Sequence, residues 1–351
     1  AEKAAVRSRT YGALTSVHLA VQAAVDALAA TYTIGALYCP AGEYRLTTNI
    51  NIPYGISVYG DGGTATQFNL YSCDGFRFTS FGYSIGQMFI QDIGFSGLSG
   101  DNYAALTSLS NASTQDGIHI HRCRFYDLNE GIVLRANWTC FITENKFEKV
   151  NQPVRLDETC MITLIENNRM VLSGGATHGG SAPAVGIEIQ GGDAGEALEN
   201  VQIIGNQIYG FAYDIRIGTA LYVTIENNDL LATVVGIDYT TVNAIFNIKH
   251  NYIQVAGNNA IGVYGRSVNS ELSNQVINEG NQYICSSGTG TGGLQLNSSA
   301  ATYQWHNRVV GNYFSGFTAY DILAYNSGKS TFEGNRCTSA ATTNSIYVPS
   351  V

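Results

Sequence analysis

Apolar residues recur along this chain around a fixed asparagine, in the pattern apolar-x-x-Asn-x-apolar. Seven copies hold this spacing and one has an extra residue: ITENKF (142–147), IENNRM (165–170), IIGNQI (203–208), IENNDL (225–230), IKHNYI (248–253), INEGNQY (277–283), VVGNYF (309–314) and FEGNRC (332–337). Successive asparagines are 22 or 23 residues apart where no longer loop intervenes. A repeat of this length is typical of a solenoid, in which each coil buries its apolar face against its neighbours.

Each copy is followed, after a short turn, by a second segment in which apolar and polar residues alternate. Examples are GIEI (186–189), DIRI (214–217) and GIDY (236–239). In an extended strand this alternation points the flanking residues inward and the middle residue outward. Stacked coils of such strands predict an all-β fold, a single-stranded right-handed parallel β-helix of about twelve coils. The asparagines are predicted to bond the turns above and below, which is a structural role and not a catalytic one.

One amphipathic helix is predicted at residues 16–30, with Ser16 as its N-cap, and it would cover the open end of the first coil. The predicted organisation is therefore an N-terminal segment with this capping helix over 1–33, followed by the β-helix over 34–351. Long gaps in the repeat predict loop insertions near 99–115, 173–184 and 191–200.

Charged residues make up only 13% of the chain and the net charge is −9, which disfavours nucleic-acid binding because phosphate recognition needs a basic face. The helical stretch is too short and too polar for membrane insertion, and no signal-peptide pattern opens the sequence. The seven cysteines are scattered without a CxxC pair, so we expect free buried thiols. Neither a metal site nor a cofactor is predicted.

The stretches ALYCPAGEYRL (36–46) and INIPYGISVYGDGG (50–63), following the helix, carry a family resemblance. Together they resemble the opening of pectate-lyase-superfamily β-helices, particularly the tailspike depolymerases of bacteriophages. The match by motif covers roughly residues 1–70. The resemblance implies a homotrimer on the virion tail, outside the cell, that acts on a bacterial surface polysaccharide such as a capsule or a lipopolysaccharide O-antigen.

Outward positions of the second strands align in two columns that collect much of the charge of a charge-poor chain. The first column contains Arg155, Glu188, Arg216 and Asp238 in four consecutive coils, and the second contains Arg135, Asp157 and Tyr264. Two coils separate Glu188 from Asp238, which places their backbones ~10 Å apart, and Asp157 lies on a diagonal of roughly 7–8 Å from Glu188. Inverting glycosidases hold their two carboxyl groups ~6.5–9.5 Å apart.

The leading hypothesis is an endoglycosidase that hydrolyses a polysaccharide with inversion. Glu188 would be the general acid, and Asp157 or Asp238 would activate the water. The predicted substrate-binding residues are Arg155, Arg216, Arg135, Asp193, Tyr239 and Tyr264. The arginines would bind acidic or hydroxyl-rich sugar groups, and the tyrosine rings would stack on sugar faces.

Two other functions fit the same residues. In a polysaccharide lyase, Arg155, Arg216 or a nearby tyrosine would take the proton alpha to a uronate carboxyl. In a non-catalytic binding or structural β-helix, the alternating arginines and acids would form an ion-pair ladder on a solvated face, with each pair contributing little.

Overall fold

The computed structural model describes residues 4–5, 17–32, 34–79, 87–97, 103–108, 117–135, 139–157, 162–173, 183–190, 199–218, 220–241, 245–267, 274–286, 290–298, 305–324, 330–339 and 346–347. The chain divides into two compact units, Ala1–Ala182 and Pro183–Val351, which we call unit one and unit two. Each unit contains three parallel sheets, named first, second and third by the order in which the chain visits them.

The α-helix of unit one spans His18–Thr31. Its buried residues Val21, Val25 and Leu28 recur at helical spacing, so one apolar stripe packs on the adjoining strands. The Gln22 side chain fixes the contact by accepting a 2.8 Å hydrogen bond from the backbone N–H of Asn51 and donating a 3.1 Å bond to its carbonyl. The helix follows Val17, which makes no side-chain capping bond, and the predicted cap Ser16 lies outside the described residues.

In unit one, two strands are long enough to run from the second sheet into the third, Arg124–Arg135 and Lys146–Asp157. The first sheet contains Ala4–Ala5, Gly35–Tyr38, Ile56–Tyr59, Met88–Gln91, Ile118–His121, Thr139–Thr143 and Ile162–Glu166; the second adds Gly42–Leu46, Thr66–Leu70, Gly94–Gly97 and Arg169–Val171; the third adds Ile50–Ile52, Phe76–Phe78 and Ala104–Ser108. Both long strands bend where one residue adopts a left-handed conformation, Asp127 at φ 55° and Lys149 at φ 57°.

In unit two, each sheet is built from separate short strands. The first sheet contains Val201–Ile204, Tyr222–Glu226, Ile245–Lys249, Asn274–Glu279, Trp305–Val310 and Thr331–Glu333; the second contains Gln207–Tyr209, Asp229–Ala232, Tyr252–Val255, Gln282–Cys285, Tyr313–Ser315 and Arg336–Cys337; the third contains Val185–Gln190, Tyr213–Ile217, Val235–Thr241, Ile261–Ser267, Gly292–Ser298, Tyr320–Ala324 and Ile346–Tyr347. Neighbouring strands of one sheet are parallel and one coil apart, as in the third-sheet pairs that join Ile187 to Ile215 and Ile215 to Ile237. The chain is an all-β parallel β-solenoid with one short helix near its start among the described residues, and this confirms the predicted fold class.

Asparagine ladders close the corner between the first and second sheets. In unit two, the backbone N–H and the Nδ2 of Asn228 both donate to Oδ1 of Asn251, at 3.0 and 2.9 Å, and Asn251 donates in the same way to Asn281. The residue before each ladder position is left-handed, with φ of 57° at Asn227 and 53° at His250. The side-chain amides therefore satisfy backbone groups that the bend leaves unpaired, as predicted.

The described residues also bear on the expectations about loop insertions, cysteines and membrane-spanning helices. Within the predicted insertion near 99–115, the strand Ala104–Ser108 pairs with its neighbours in the third sheet. Residues 99–102 and 109–115 lie outside the described residues, so this insertion stays a prediction. The insertions near 173–184 and 191–200 fall mostly outside the described residues. All six described cysteines are free and five of them are buried, which agrees with the expected free thiols. Within the described part of the chain, no helix has the length and apolarity needed to cross a membrane.

Candidate functional site

The third sheet of unit two places the predicted charged column in register. Glu188 is paired with Arg216, Arg216 with Asp238, and Asp238 with Tyr264. Inward neighbours of these residues, such as Ile215 in the central strand, are completely buried. Core packing therefore fixes the register, and the register points the charged side chains away from the core.

These side chains form a continuous chain of contacts in the order Glu188–Arg216–Asp238–Arg266, which we call the unit-two charge chain. The Arg216 guanidinium lies between the two acids, with Nη1 3.6 Å from Oε1 of Glu188 and Nε 3.8 Å from Oδ2 of Asp238. Nη2 of Arg266 donates hydrogen bonds of 2.7 and 2.9 Å to the two oxygens of Asp238. Asp238 is thus firmly held by one arginine and loosely held by the other.

Burial differs sharply between the acids and the arginines of this chain. The Glu188 and Asp238 side chains are only 8% and 6% exposed, whereas those of Arg216 and Arg266 are 30% and 43% exposed. The Tyr213 ring lies 3.8 Å from the Arg216 guanidinium carbon. A ligand approaching this face would therefore meet guanidinium edges and a tyrosine ring before the carboxyl groups beneath them.

Unit one contains a second chain of the same composition, Glu130–Arg155–Asp157–Arg135, which we call the unit-one charge chain. Nη1 of Arg155 lies 3.6 Å from Oε1 of Glu130, and its Nε donates a 2.9 Å hydrogen bond to Oδ1 of Asp157. Arg135 approaches the other oxygen of Asp157 at 3.4 Å. In both units, one arginine bridges a glutamate and an aspartate, and a second arginine contacts that aspartate.

Glu130 was not among the residues predicted from the sequence. Burial raises the pKa of its carboxyl above 4.5, and the nearby acids Asp157 and Asp74 raise it further, against the effect of Arg155. The signal that could have identified Glu130 is its position just before the alternating GIVL segment (131–134), in a strand that continues without a break through the corner.

The register between Val235–Thr241 and Ile261–Ser267 gives Tyr264 a different column from the predicted one and adds Arg266 to the charged residues of this sheet. The sequence predicts Tyr264 in the second column, which also contains Asp157, but Tyr264 pairs with Asp238 in the first column. Arg266 takes the second-column position and pairs with Thr240. The predicted register of this strand differs from the observed one by two residues. A shift of two keeps every inward side chain inward, so the alternation of apolar and polar residues does not distinguish the two registers.

Tyr239 does not line this surface, so the prediction that it stacks on a sugar is wrong. Its side chain is fully buried and stacks on Phe246, with ring centroids 4.5 Å apart. The ring occupies space that Gly265 leaves open, because a Cβ on that glycine would lie 2.4 Å from the Tyr239 hydroxyl. Burial raises the pKa of this hydroxyl above its usual value of 10.0.

The other predicted site residues belong to different units or lie outside the described residues. Asp157 and Arg135 belong to unit one and Glu188 belongs to unit two, so the predicted pairing of Asp157 with Glu188 stays a prediction. Asp193 lies outside the described residues. Within the ranges that the structure describes, no group of three or more His, Cys, Asp or Glu residues is placed to hold a metal ion.

Comparisons with solved structures identify carbohydrate-active proteins among those with similar folds. The A-module of the mannuronan C-5 epimerase AlgE4 from Azotobacter vinelandii matches with a TM-score of 0.71 at 17% identity, over 95% of this chain and 95% of that chain. The DFA-IIIase from Arthrobacter chlorophenolicus A6 matches with a TM-score of 0.58 at 13% identity, over 90% of this chain and 82% of that chain. At these identities the likeness supports the parallel β-helix fold alone.

Sequence comparison adds no assignment. No family model matches the chain, and no curated protein matches it.

Proposed function

We propose that this protein binds a polysaccharide along the third sheet of unit two and hydrolyses it with Glu188 and Asp238. The observation that carries the proposal is the unit-two charge chain, in which two nearly buried carboxyl groups lie beneath exposed arginines. Burying ion pairs gives little or no net stability compared with well-packed apolar residues. A concentration of buried charge in a chain with only 13% charged residues therefore favours a functional site.

The separation of the carboxyl groups suits an inverting hydrolase. Their strands are two coils apart, so the backbones are ~10 Å apart, and both side chains lean toward Arg216 between them. Inversion needs ~6.5–9.5 Å between the acid and the base, which leaves room for one water molecule. Glu188 would protonate the glycosidic oxygen while Asp238 takes a proton from the water that attacks the anomeric carbon, breaking the glycosidic bond.

Arg216 would change partners when the substrate binds. Its contacts with Glu188 and Asp238, at 3.6 and 3.8 Å, are longer than hydrogen bonds, so the guanidinium can turn to a sugar oxygen without losing a strong contact. Arg266 would stay on Asp238 and hold that carboxyl in position to act as the general base.

We further propose that the substrate is a bacterial capsule or O-antigen and that the protein is a tailspike-like homotrimer on a virion tail. The support is the resemblance of ALYCPAGEYRL (36–46) and INIPYGISVYGDGG (50–63) to the opening of tailspike depolymerases. The parallel β-helix fold agrees with this proposal but is shared by proteins of other activities.

Polysaccharide lyase activity is the second candidate, and the Tyr213 ring packed 3.8 Å from the guanidinium carbon of Arg216 favours it. Arg216 would neutralise a uronate carboxylate while a tyrosine takes the proton from the alpha carbon. The C–O bond at the beta carbon would then break, a double bond would form between the alpha and beta carbons, and the departing sugar oxygen would take a proton from solvent. Because one protein of similar fold is a mannuronan C-5 epimerase, acidic polysaccharides belong among the substrates to be tested.

Product analysis tests the proposal. We would incubate wild type, Glu188→Gln, Asp238→Asn and the control Glu279→Gln, a first-sheet residue paired with Arg308, with capsule and lipopolysaccharide preparations. Hydrolysis predicts saturated oligosaccharides and a loss of roughly 10²–10⁴-fold in rate for the two site variants but not for the control.

Three results would contradict the hydrolase assignment. Products with unsaturated ends, which absorb near-ultraviolet light, would establish the lyase. Full activity of Glu188→Gln would exclude this carboxyl group as the acid. Binding without cleavage across a broad panel would favour a non-catalytic β-helix.

A further inference from the structure

An outward column on the second sheet of unit one is cationic in three successive coils. Arg124 pairs in register with Lys146, and Lys146 pairs with Arg169. The inward residue that follows Lys146, Phe147, is completely buried, so core packing holds this register. Like charges directly opposite one another on neighbouring strands repel, which makes such a column unusual in a chain with 18 lysines and arginines against 27 acids. We call these three residues, together with Lys149, the basic ladder.

One carboxylate, Glu148, holds two members of the basic ladder. Its Oε2 accepts hydrogen bonds of 2.7 and 3.1 Å from Nη2 and Nε of Arg124, and its Oε1 lies 2.9 Å from Nζ of Lys146. Burial raises the pKa of this carboxyl, but the bonds and charges of Lys146 and Arg124 outweigh burial and lower the pKa below 4.5. Glu148 is therefore ionised at neutral pH, and each of its oxygens already contacts a cation.

Within the described chain, the other two members of the ladder, Arg169 and Lys149, have no carboxylate at ion-pair distance. Arg169 is exposed to solvent. The Lys149 ammonium lies 5.4 Å from the centroid of the Tyr126 ring, and the guanidinium carbon of Arg124 lies 5.1 Å from the same centroid. The ring therefore positions two cations of the ladder without neutralising either of them.

Charge counting on this face gives the class of ligand. Among the described second-sheet residues of these three coils, two are acids: Glu148, and Asp127 at the bend one coil before Lys149. With both acids ionised, the four cations of the ladder leave a surplus of two positive charges on a chain whose net charge is −9. A face of this kind attracts an anionic ligand.

Further acids of these coils lie at the neighbouring corner, on the side of the first sheet. Asp92 accepts hydrogen bonds of 2.9 and 2.8 Å from Arg122, and Glu144 lies 3.9 Å from Nε2 of His121. Glu166 is the last residue of its first-sheet strand. In the described part of unit one, no ion pair joins these acids to the basic ladder, so they leave its surplus charge in place.

The arrangement of the ladder favours an extended polyanion. Its in-register cations recur once per coil, ~4.8 Å apart along the stack, which is close to the length of one sugar residue in an extended polysaccharide. A polyuronate has one carboxylate on every residue, so its charges can meet the ladder coil by coil. A single-stranded nucleic acid fits less well, because its bases stack on open aromatic faces, whereas the Tyr126 ring is approached by Arg124 and Lys149.

We propose that the basic ladder is a binding site for an acidic polysaccharide, in which Lys146, Lys149 and Arg169 contact successive carboxylate or sulfate groups. Arg124 stays on Glu148, which keeps the first rung of the ladder in place. The site belongs to the second sheet of unit one, whereas the proposed cleavage residues belong to the third sheet of unit two. It therefore adds recognition of an acidic glycan to the proposed function and does not depend on cleavage occurring.

Calorimetric titration of the full chain with hexagalacturonate, a chondroitin sulfate hexasaccharide and the uncharged control maltohexaose tests the site. We expect at least one acidic hexasaccharide to bind and maltohexaose not to bind. The acidic ligand that binds more tightly identifies carboxylate or sulfate as the preferred group. Raising the salt concentration from about 0.02 M to about 0.15 M should weaken binding, because salt screens exposed charges.

Substitutions then assign the binding to the ladder. Lys149→Gln and Arg169→Gln should each lower the affinity for the acidic hexasaccharide by roughly 2–5-fold, and the double variant should lower it by roughly 5–25-fold with a weaker salt dependence. The control Arg308→Gln removes the same charge from the first sheet of unit two and should bind as wild type. Circular dichroism confirms that each variant is folded.

Several results would overturn the proposal. These are equal binding of maltohexaose, no binding of either acidic hexasaccharide at low salt, unchanged affinity in the folded double variant, and tighter binding of oligodeoxythymidylate than of both acidic sugars. Loss of binding in Arg216→Gln with full binding in the double variant would also overturn it, because acid recognition would then belong to the unit-two charge chain.

Glu188→Gln separates this site from the proposed function. If that variant loses cleavage but keeps ladder-dependent binding, both proposals stand. If wild type binds acidic hexasaccharides through the ladder but never cleaves a polysaccharide, only the hydrolase proposal fails.

Discussion

Asp214 occupies a third-sheet position that holds glycine in the strands on either side, at Gly186 and Gly236. Its side chain is fully buried, and among the described residues neither carboxyl oxygen has a hydrogen-bond partner. Burial raises its pKa well above 3.8, and Asp229 raises it further. We expect the substitution Asp214→Gly, which restores the residue of the neighbouring coils, to stabilise the protein at neutral pH.

The magnitude follows from two opposing effects. A buried polar group without a partner costs about 1–3 kcal/mol, and the substitution removes this cost. Glycine lowers stability by roughly 0.5–1 kcal/mol because the unfolded chain gains conformational freedom. The net expected gain in the free energy of unfolding is about 0–2.5 kcal/mol before ionisation is considered.

Ionisation of Asp214 makes the gain depend on pH. The folded-state pKa is raised above the unfolded value of 3.8, so the folded state binds the proton more tightly. The resulting contribution to stability is fully present below the unfolded pKa and is lost as pH rises through the folded pKa. The advantage of Asp214→Gly should therefore grow by up to ~1.4 kcal/mol per pH unit between these two values and then level off.

Urea unfolding of wild type, Asp214→Gly and Asp214→Asn, followed by circular dichroism at about pH 5 and about pH 7, measures both effects. Asp214→Asn keeps a buried polar group but removes the charge, so it should lose the pH dependence and gain less stability than the glycine variant. The reasoning is refuted if Asp214→Gly is less stable than wild type at about pH 7, or if its advantage is the same at both pH values.

Two further predictions concern the corners and the stacking of the coils. Asn251→Ala should lower the free energy of unfolding by roughly 3–5 kcal/mol, because the backbone N–H and the side-chain amide of Asn228 lose their acceptor. In the same urea assay the control Asn247→Ala, on the outer face, should change the free energy of unfolding by less than about 1 kcal/mol. Equal effects of the two substitutions would contradict the stabilising role of the asparagine ladder. Gly236→Ala should lower the free energy of unfolding by about 1–3 kcal/mol, because the added Cβ would lie 2.6 Å from the carbonyl oxygen of Gly262. An unchanged midpoint of thermal unfolding would contradict this prediction and show that the coils can separate to admit a methyl group.

The asparagine ladder and the charged column were both accessible from the sequence, for the same reason. Each depends on a residue type repeating at a fixed place in a coil, and parallel stacking brings such places into contact. Asn228 and Asn251 are 23 residues apart in the sequence and are joined by hydrogen bonds of 2.9 and 3.0 Å. The placement of Glu188 opposite Arg216 follows from the same periodicity.

Errors arose where the local pattern leaves register undetermined. The alternation in IGVYGRS (261–267) is the same after a shift of two residues. Tyr264 can therefore move from the second column to the first, and Arg266 can take its place in the second, without any inward residue turning outward. The observed register places the Tyr239 ring over Gly265, and this contact joins different coils. The same contact places in the core a tyrosine that the sequence had suggested for sugar binding.

The sequence by itself determined the coil, its corner asparagines and the concentration of charge on one sheet, because these follow from periodicity along a single chain. The tertiary structure decided which charged groups are buried and which arginine holds which acid, since register and burial depend on neighbouring coils. That is why Glu188 and Asp238 lie beneath Arg216 and Arg266, and why burial raises the pKa of Glu130 although Arg155 lies 3.6 Å away. Chemistry at these acids is set by those contacts rather than by residue identity.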